Sequence, residues 1–318
     1  MKHFIFSKIG IGIIGGLIGL SGIAAHVWNQ EHRPPVFEMY IFGLKTSTAA
    51  FIRTPDDKRI LINGGSNSEV IRHISKVLPF YSRRIDMVIA TDTDKKNVTG
   101  LIGVVGRYSV DQVLVPRITL EELNLSVSTS SDRTYDTFLS AVRKAKIPMR
   151  ELIAGEKVRF SSKKNNSDLS AQMGQAEKNL EYLGSDDVSM NILFPVDTET
   201  FSYSKASPPE ILFTLTHGST DILWSGNSSK KIQKYITSSA TSTLSTPLDV
   251  LVVSHGALVT HFDRTFLETY QPESLIYSQS LSGSSGANPF AYDSRFNIQE
   301  NTIRISSDGI SAWIERLR

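Results

Sequence analysis

Residues 85–100 read IDMVIATDTDKKNVTG, and this stretch decides the fold. The apolar run 87–90 is too short for a helix and is typical of a buried strand. A polar loop follows at 91–99, and the apolar residues 101–105 then indicate a helix. The order strand, polar loop and helix is where α/β proteins build functional sites. We therefore expect a candidate site in residues 91–100.

The flanking sequence predicts two halves, each running from strands into helices. The first half contains strands at 36–42, 49–53, 59–62, 87–90 and 112–115, and helices at 67–78, 101–105 and 133–146. The second half contains strands at 190–194, 211–216, 221–224 and 250–253, and helices at 229–236 and from Arg264 onward. The tail adds strands at 274–277, 302–305 and 310–314. The first three strands predict a β-meander, and we assign residues 34–318 to one domain.

One polar stretch interrupts this pattern. Residues 161–187 are rich in Ser, Asn, Lys and Gln and have little periodicity. They predict a surface insertion rather than a domain boundary. Within it, residues 176–183 are amphipathic and predict at most a short helix.

The composition limits the class of protein. With 318 residues, of which 40% are hydrophobic, the chain is long enough to bury a self-supporting core. It contains no cysteine, which excludes disulfides and thiolate metal sites. The formal net charge of +2 comes from residues 1–33, so the rest of the chain is electrically balanced. Binding polyanions through counterion release needs a basic excess, so the composition does not favour a nonspecific nucleic-acid binder.

The N-terminal segment is strongly apolar. Residues 9–28 read IGIGIIGGLIGLSGIAAHVW, in which Ser21 and His26 are the polar exceptions. About 20 residues in a helix span a hydrocarbon core roughly 30 Å thick. We therefore expect one N-terminal transmembrane helix, with residues 1–33 as a membrane anchor.

A cleaved signal sequence is the alternative to this anchor. Lys2 and Lys8 form a short basic region, and residues 23–25 offer small side chains for cleavage. The same lysines favour a cytoplasmic N-terminus and an extracytoplasmic body. Small residues spaced by four also predict a weak dimer through the anchor. These residues form the pairs Gly12 with Gly16 and Gly15 with Gly19.

Five segments follow one another in a characteristic order. They are AAFIRTPDDKRILINGG (49–65), VLPFYSRRIDMVIATDTD (77–94), ILFTLTHGSTDILWSGN (211–227), LDVLVVSHGALVTHFDRTFLETYQPESLIYS (248–278) and IRISSDGI (303–310). In this order they resemble the metallo-β-lactamase-like domain of ComEC-type competence proteins, over most of residues 36–315. The resemblance implies an αββα sandwich, two sheets back to back with helices outside, and a role around DNA uptake.

The resemblance also implies a binuclear metal site, which needs several convergent imidazoles and carboxylates. The family pattern after the buried strand is Thr-His-x-Asp-x-Asp-His. Here Asp92 and Asn97 replace the two histidines, Lys96 replaces the second aspartate, and Asp94 keeps the family residue. We treat eight residues as vestigial active-site positions: Asn63, Asp92, Asp94, Lys96, Asn97, Asn227, Ser254 and His255.

These losses favour a protein without catalytic residues, metal or other cofactor. We hypothesise that Lys96 occupies the vacated metal space and neutralises the remaining carboxylates. A plainer interpretation is that Asp92 and Asp94 cap the following helix and pair with Lys96. If any metal binds, we expect zinc or manganese on Asp92, Asp94 and His255, with His261 a further candidate ligand.

The favoured function is a noncatalytic, membrane-anchored module that binds or scaffolds DNA or another envelope protein. Five lysines at the expected active-site edge are candidate phosphate ligands, although solvated surface charges are the default interpretation. They are Lys45, Lys95, Lys96, Lys230 and Lys231. One alternative is a single-metal phosphodiesterase or nuclease-type hydrolase. Another is an interaction subunit that contacts a membrane partner through residues 9–28 and binds no ligand in its cleft.

Overall fold

A computed structural model of the chain describes part of the sequence. The described residues are 36–44, 47–118, 133–160, 179–180, 188–204, 207–239, 246–254, 262–277, 294–298 and 301–317. Contacts divide the chain into two units, Met1–Val36 and Phe37–Arg318. Within the described ranges, no helix is long and apolar enough to cross a membrane. The expected anchor at 9–28, its glycine pairs, Lys45, His255 and His261 lie outside these ranges.

Strands of the first half and of the tail form one eight-stranded sheet. In spatial order it contains β16 (Ala312–Leu317), β15 (Thr302–Ser307), β1 (Phe37–Leu44), β2 (Ser47–Arg53), β3 (Arg59–Ile62), β4 (Arg84–Ile89), β5 (Ser109–Pro116) and β6 (Met149–Leu152). Pairing is antiparallel from β16 to β3 and parallel from β3 to β6. The predicted β-meander is therefore confirmed as β1–β3.

A second eight-stranded sheet contains the remaining strands. In spatial order these are β14 (Ser294–Asn297), β13 (Ser274–Tyr277), β12 (Val250–Val253), β11 (Thr220–Trp224), β10 (Leu212–His217), β9 (Val188–Phe194), β7 (Lys157–Phe160) and β8 (Asn179–Leu180). The strands β11 to β14 are parallel, and β9 to β11 are antiparallel. The described helices are α1 (Glu69–Val77), α2 (Lys95–Val105), α3 (Thr134–Lys144), α4 (Lys230–Ser239) and α5 (Arg264–Tyr270).

Three hydrophobic cores define the layers. Because side chains alternate along a strand, Ile60 and Ile62 of β3 point into a core shared by both sheets, and Leu61 points to the other face. Leu61 joins a second core with buried residues of α1, α2 and α3. A third core joins the outer face of the second sheet to α4 and α5. Two sheets face each other and helices cover both outer faces, which confirms the predicted αββα layering.

Several elements differ from the sequence prediction. The strands β6, β7, β8 and β14 were not predicted. Residues 179–180, which fall in the expected short helix at 176–183, instead pair as β8 with Lys157 and Val158 of β7. The rest of the expected insertion, 161–178 and 181–187, lies outside the described residues. Helix α2 begins at Lys95, earlier than residue 101, because Asp94 caps it.

Candidate functional site

Asn63 joins the ends of two neighbouring parallel strands. It follows β3, is 0% exposed and has a left-handed backbone with φ of 58°, which asparagine tolerates better than most residues. Its Nδ2 donates to Thr91 Oγ1 at 2.8 Å, and its Oδ1 accepts from Thr91 N at 2.9 Å. Its own N–H donates to Ile89 O at 2.9 Å. The Asn63 amide is therefore fully engaged with the chain that leaves β4.

Asp92 is held by the start of α2. Its Oδ2 accepts from Asn97 Nδ2 at 2.6 Å, and its Oδ1 accepts from Asp94 N at 2.8 Å. Burial raises the pKa of Asp92 to about 6, although the bonds from Asp94, Asn97 and Thr91 act in the opposite direction. Asn97 thus donates from its side-chain amide to a carboxylate oxygen of Asp92.

The structure corrects the expected role of Lys96. Asp94 is the N-cap of α2 and accepts from Lys96 N at 2.9 Å, so the predicted capping by Asp94 is confirmed. The Lys96 side chain, however, is exposed, and no ion pair joins it to Asp92 or Asp94 in the described structure. An exposed ammonium on a first helical turn stays hydrated, because solvation outweighs a weak surface attraction. The neutral partner of Asp92 is the Asn97 amide.

Glycines bring the loop after β3 against α2. Gly64 N donates to Asn97 O at 2.6 Å, and Gly100 N donates to Gly65 O at 2.9 Å. A Cβ on Gly100 would lie 1.8 Å from Gly64 O. This close approach leaves no room for a side chain at Gly100.

Glu210 is a site residue that the sequence analysis missed. It is 4% exposed and comes just before β10, and the next residue, Ile211, donates its N–H to Thr91 O at 2.6 Å. That bond ties the two sheets together at the site. Burial raises the pKa of Glu210 well above its usual range, and the charge of Asp92 raises it further. The Glu210 Oε2 accepts from Asn227 N at 3.3 Å.

The second half contributes two more vestigial positions. Asn227 has an exposed side chain and contacts Glu210 through its backbone. A Cβ on the preceding Gly226 would lie 2.8 Å from Glu210 Oε2, so glycine lets the carboxylate approach the turn. Ser254 follows β12, is 5% exposed and donates its N–H to Gly226 O at 2.9 Å. Its Oγ has no hydrogen-bond partner among the described residues.

Tyr135 is a second residue that the sequence analysis missed. It lies in the first turn of α3 and is 7% exposed. Burial raises its pKa, and the charges of Glu151 and Asp92 add to the rise. The ring therefore lies within electrostatic range of Asp92 and remains a neutral phenol at neutral pH.

The side chains present do not complete a binuclear metal site in the described part of the chain. That part holds no group of three His, Asp or Glu side chains placed to hold a cation. Glu210 is a buried carboxylate, Asp92 is a half-buried one, and Asp94 is an exposed helix cap. A binuclear centre needs more donors than this pair. The histidines His255 and His261 lie outside the described residues.

The candidate phosphate-binding lysines occupy the first turns of two helices. Lys95 and Lys96 begin α2, Lys230 and Lys231 begin α4, and all four are exposed. Lys231 Nζ donates to the Ser202 carbonyl and lies 4.6 Å from the ring centroid of Phe201. Its ammonium is therefore engaged in contacts within its own half of the molecule, which weakens its case as a phosphate ligand.

Comparisons with known proteins bear on the fold. The chain matches no known protein family and no curated protein sequence. Similar solved structures are metallo-β-lactamase-fold proteins. They include a diphosphatase of the PhnP family, at 9% identity, 85% coverage of this chain, 98% of that chain and a TM-score of 0.45. A subclass B3 metallo-β-lactamase from a soil metagenome has 13% identity, 68% and 76% coverage and a TM-score of 0.38.

A third neighbour is CmlA, a diiron β-hydroxylase from Streptomyces venezuelae, at 14% identity and a TM-score of 0.44. The match covers 77% of this chain and 45% of that one, so the chain spans less than half of the hydroxylase. At these identities and TM-scores, the neighbours carry no argument about activity or metal content. The layered architecture rests on the sheet order and the three cores.

Proposed function

We propose that this protein is a noncatalytic binding or scaffolding module, with a ComEC-like and degenerate metallo-β-lactamase-type sandwich. One observation carries the proposal. The polar side chains at the first-half vestigial positions bind one another: Asn63 binds Thr91, and Asn97 binds Asp92 at 2.6 Å. Both carboxylate oxygens of Asp92 accept hydrogen bonds from their own loop, so Asp92 has partners without a cation. In this proposal the site joins the loops after β3 and β4 to the start of α2 and has a structural role.

The cellular setting is part of the same proposal. Residues 9–28 tether the body to the membrane on its outer side, and the partner is DNA or another envelope protein. Support for the tether comes from the length and apolar character of this segment. The link to DNA uptake comes from the resemblance of the five sequence segments.

A specific observation favours a second candidate, a single-metal hydrolase of phosphodiesters. Asp92 and Glu210 are two carboxylates whose pKa values are both raised by burial, and the charge of Asp92 acts on Glu210. A buried carboxylate pair is stabilised either by a proton or by a cation such as zinc or manganese. Ser254, whose Oγ is unpaired among the described residues, lies in the same half as Glu210.

Elemental analysis separates the two candidates. The full chain is stripped of metal, exchanged against zinc or manganese and analysed beside the variants Asp92→Asn and Glu210→Gln. We expect far less than one metal ion per chain in all three proteins. Near-stoichiometric retention that both variants abolish, together with hydrolysis of a model phosphodiester by the unaltered chain, would overturn the noncatalytic proposal and establish the hydrolase.

A further inference from the structure

An open groove lies at the opposite end of the first sheet from the vestigial site. Arg83 precedes β4 and Arg107 precedes β5, whereas the residues Thr91–Asn97 follow the carboxyl end of β4. The groove has a volume of about 500 Å³ and is lined by α1, the loop from α1 to β4, and the turn between α2 and β5. Neither Asp92 nor Glu210 lines it.

The groove has an uncompensated positive charge. Arg83 and Arg107 are exposed, and neither forms an ion pair in the described structure. The adjacent Arg84, in contrast, binds Asp111 at 2.6 Å and Asp86 at 3.1 Å. Unpaired guanidinium groups at the mouth of a groove favour an anionic partner, and phosphate suits their planar donor geometry.

Tyr108 also lines the groove, together with Arg83 and Arg107. The charges of the two arginines lower the pKa of Tyr108, while burial raises it more strongly. Both guanidinium groups therefore act electrostatically on the same part of the groove. Arg72 also lines the groove, although Glu69 binds it at 2.7 Å.

Two aromatic side chains project beside these charges. Phe80 is 93% exposed and Tyr81 is 73% exposed, with ring centroids 5.4 Å apart. They are the central residues of a turn that Ser82 N closes by donating to Pro79 O at 2.9 Å. The Arg59 guanidinium donates to Ser82 Oγ and holds this turn against the sheet. A rigid turn thus presents the two rings to solvent, which is unfavourable unless another surface covers them.

We propose that this groove and its aromatic turn dock on a membrane surface of anionic phospholipid. Arg83 and Arg107 bind headgroup phosphates, and Phe80 and Tyr81 enter the interface between headgroups and acyl chains. The position of the rings favours lipid over single-stranded nucleic acid. A base-stacking platform lies along a charged groove, whereas these rings occupy the tip of a turn, where they reach a flat surface first.

A fluorescent label on the full chain tests the docking directly. The chain has no cysteine, so Ser75→Cys gives one labelling site at the groove. Ser238→Cys on α4 is the matched control, because each serine is exposed and bonds a carbonyl of its own helix, at 2.8 Å and 2.9 Å. Each protein carries an environment-sensitive dye and is added to, or reconstituted in, vesicles of phosphatidylcholine with or without phosphatidylglycerol. The dye reports docking of the body on the membrane, whether or not residues 9–28 are inserted in the bilayer.

We expect the dye at position 75 to shift to the blue in phosphatidylglycerol vesicles and to be quenched by spin-labelled lipid, with reversal at high salt. The double variant Arg83→Ala and Arg107→Ala should lower the docking equilibrium constant roughly 30-fold. Phe80→Ala should lower it roughly tenfold. Removing the exposed charges of Arg264 on α5 and Arg316 on β16, which lie outside the groove, should leave it unchanged, as should the exposed aromatic substitution Trp313→Ala.

Three results would overturn the proposal. One is an equal dye response at positions 75 and 238, which would indicate general adsorption. Another is an unchanged response in the Arg83 and Arg107 variant while circular dichroism shows it folded. The third is an arginine-dependent response to a single-stranded oligonucleotide, or to inorganic phosphate, without a response to phosphatidylglycerol vesicles.

Discussion

The two halves of the molecule treat the polar residues of the candidate site differently. In the first half, Asn63, Thr91, Asp92 and Asn97 satisfy one another through short hydrogen bonds. The second half instead buries Glu210, whose described hydrogen bond comes from Asn227 N at 3.3 Å. It also buries the Ser254 hydroxyl without a partner among the described residues.

This difference distinguishes polar groups that hold the fold together from polar groups that are available to bind a ligand. A buried polar group that lacks good partners destabilises a fold, so a bound water, ion or ligand would stabilise it, as would a proton in the case of a carboxylate. In the first half, the amides of Asn63 and Asn97 bind Thr91 and Asp92 and hold the loop after β4 to its neighbours. Any remaining chemistry or binding in the cleft should therefore depend on Glu210 and its neighbours rather than on Asn63 or Asn97.

The largest expected effect tests whether the first-half loop is structural. Gly100→Ala places a Cβ 1.8 Å from Gly64 O, a backbone atom that moves only with the loop. We expect a loss of ~4 kcal/mol or more in the free energy of unfolding, measured by urea denaturation. Gly106→Ala is the control, because its Cβ would meet no atom closer than 3.6 Å. An equal loss at both positions would contradict the packing argument.

The next prediction compares two asparagines of the candidate site, one from each half. Asn63→Ala removes the partner of Thr91 N and strains a backbone with φ of 58°, so we expect a loss of about 3 kcal/mol. Asn227→Ala removes an exposed side chain and keeps the backbone bond to Glu210, so its effect should be below ~0.5 kcal/mol. Thermal and urea unfolding of both variants measure this contrast. Similar losses would show that the halves do not differ.

The third prediction uses pH to test the buried carboxylates. The folded pKa of Asp92 is raised from 3.8 to about 6, so the folded chain binds this proton more tightly than the unfolded chain. Its contribution to stability is present below pH 3.8 and is lost as the pH rises to about 6. Relative to the unaltered chain, Asp92→Asn should therefore gain on the order of 2 kcal/mol between about pH 4 and 6. A stability difference that stays constant with pH would refute the shift.

The smallest expected effect concerns Lys96. Because its side chain is exposed and unpaired in the described structure, Lys96→Ala should change the free energy of unfolding by less than ~0.5 kcal/mol. It should also leave unchanged the pH range over which the stability contribution of Asp92 is lost. Asn97→Ala, in contrast, removes the 2.6 Å hydrogen bond to Asp92 and should raise the pKa of Asp92 further, which extends this pH range upward. If Lys96→Ala produced the larger shift, the neutralising role predicted from sequence would be restored.

Local apolar patterns predicted most of the strands and helices, whereas the αββα layering was implied by the resemblance of the five segments. Within the predicted strand 59–62, the structure places Ile60 and Ile62 in one core and Leu61 in another. The short strands β6, β7, β8 and β14 escaped prediction. Glu210 escaped too, because an acidic residue at the start of a strand normally indicates solvent, and only the packing of the two halves buries it.

The sequence by itself determined the order of most strands and helices, and it places amides at Asn63 and Asn97 and an ammonium at Lys96. These properties follow from residue identity and short-range periodicity. The tertiary structure decided that Asn97 rather than Lys96 binds Asp92, and that Glu210 lies within its electrostatic range. Hydrogen-bond partners and desolvation depend on which segments, distant in sequence, come into contact in the fold. The local pattern of residues along the chain does not specify those contacts.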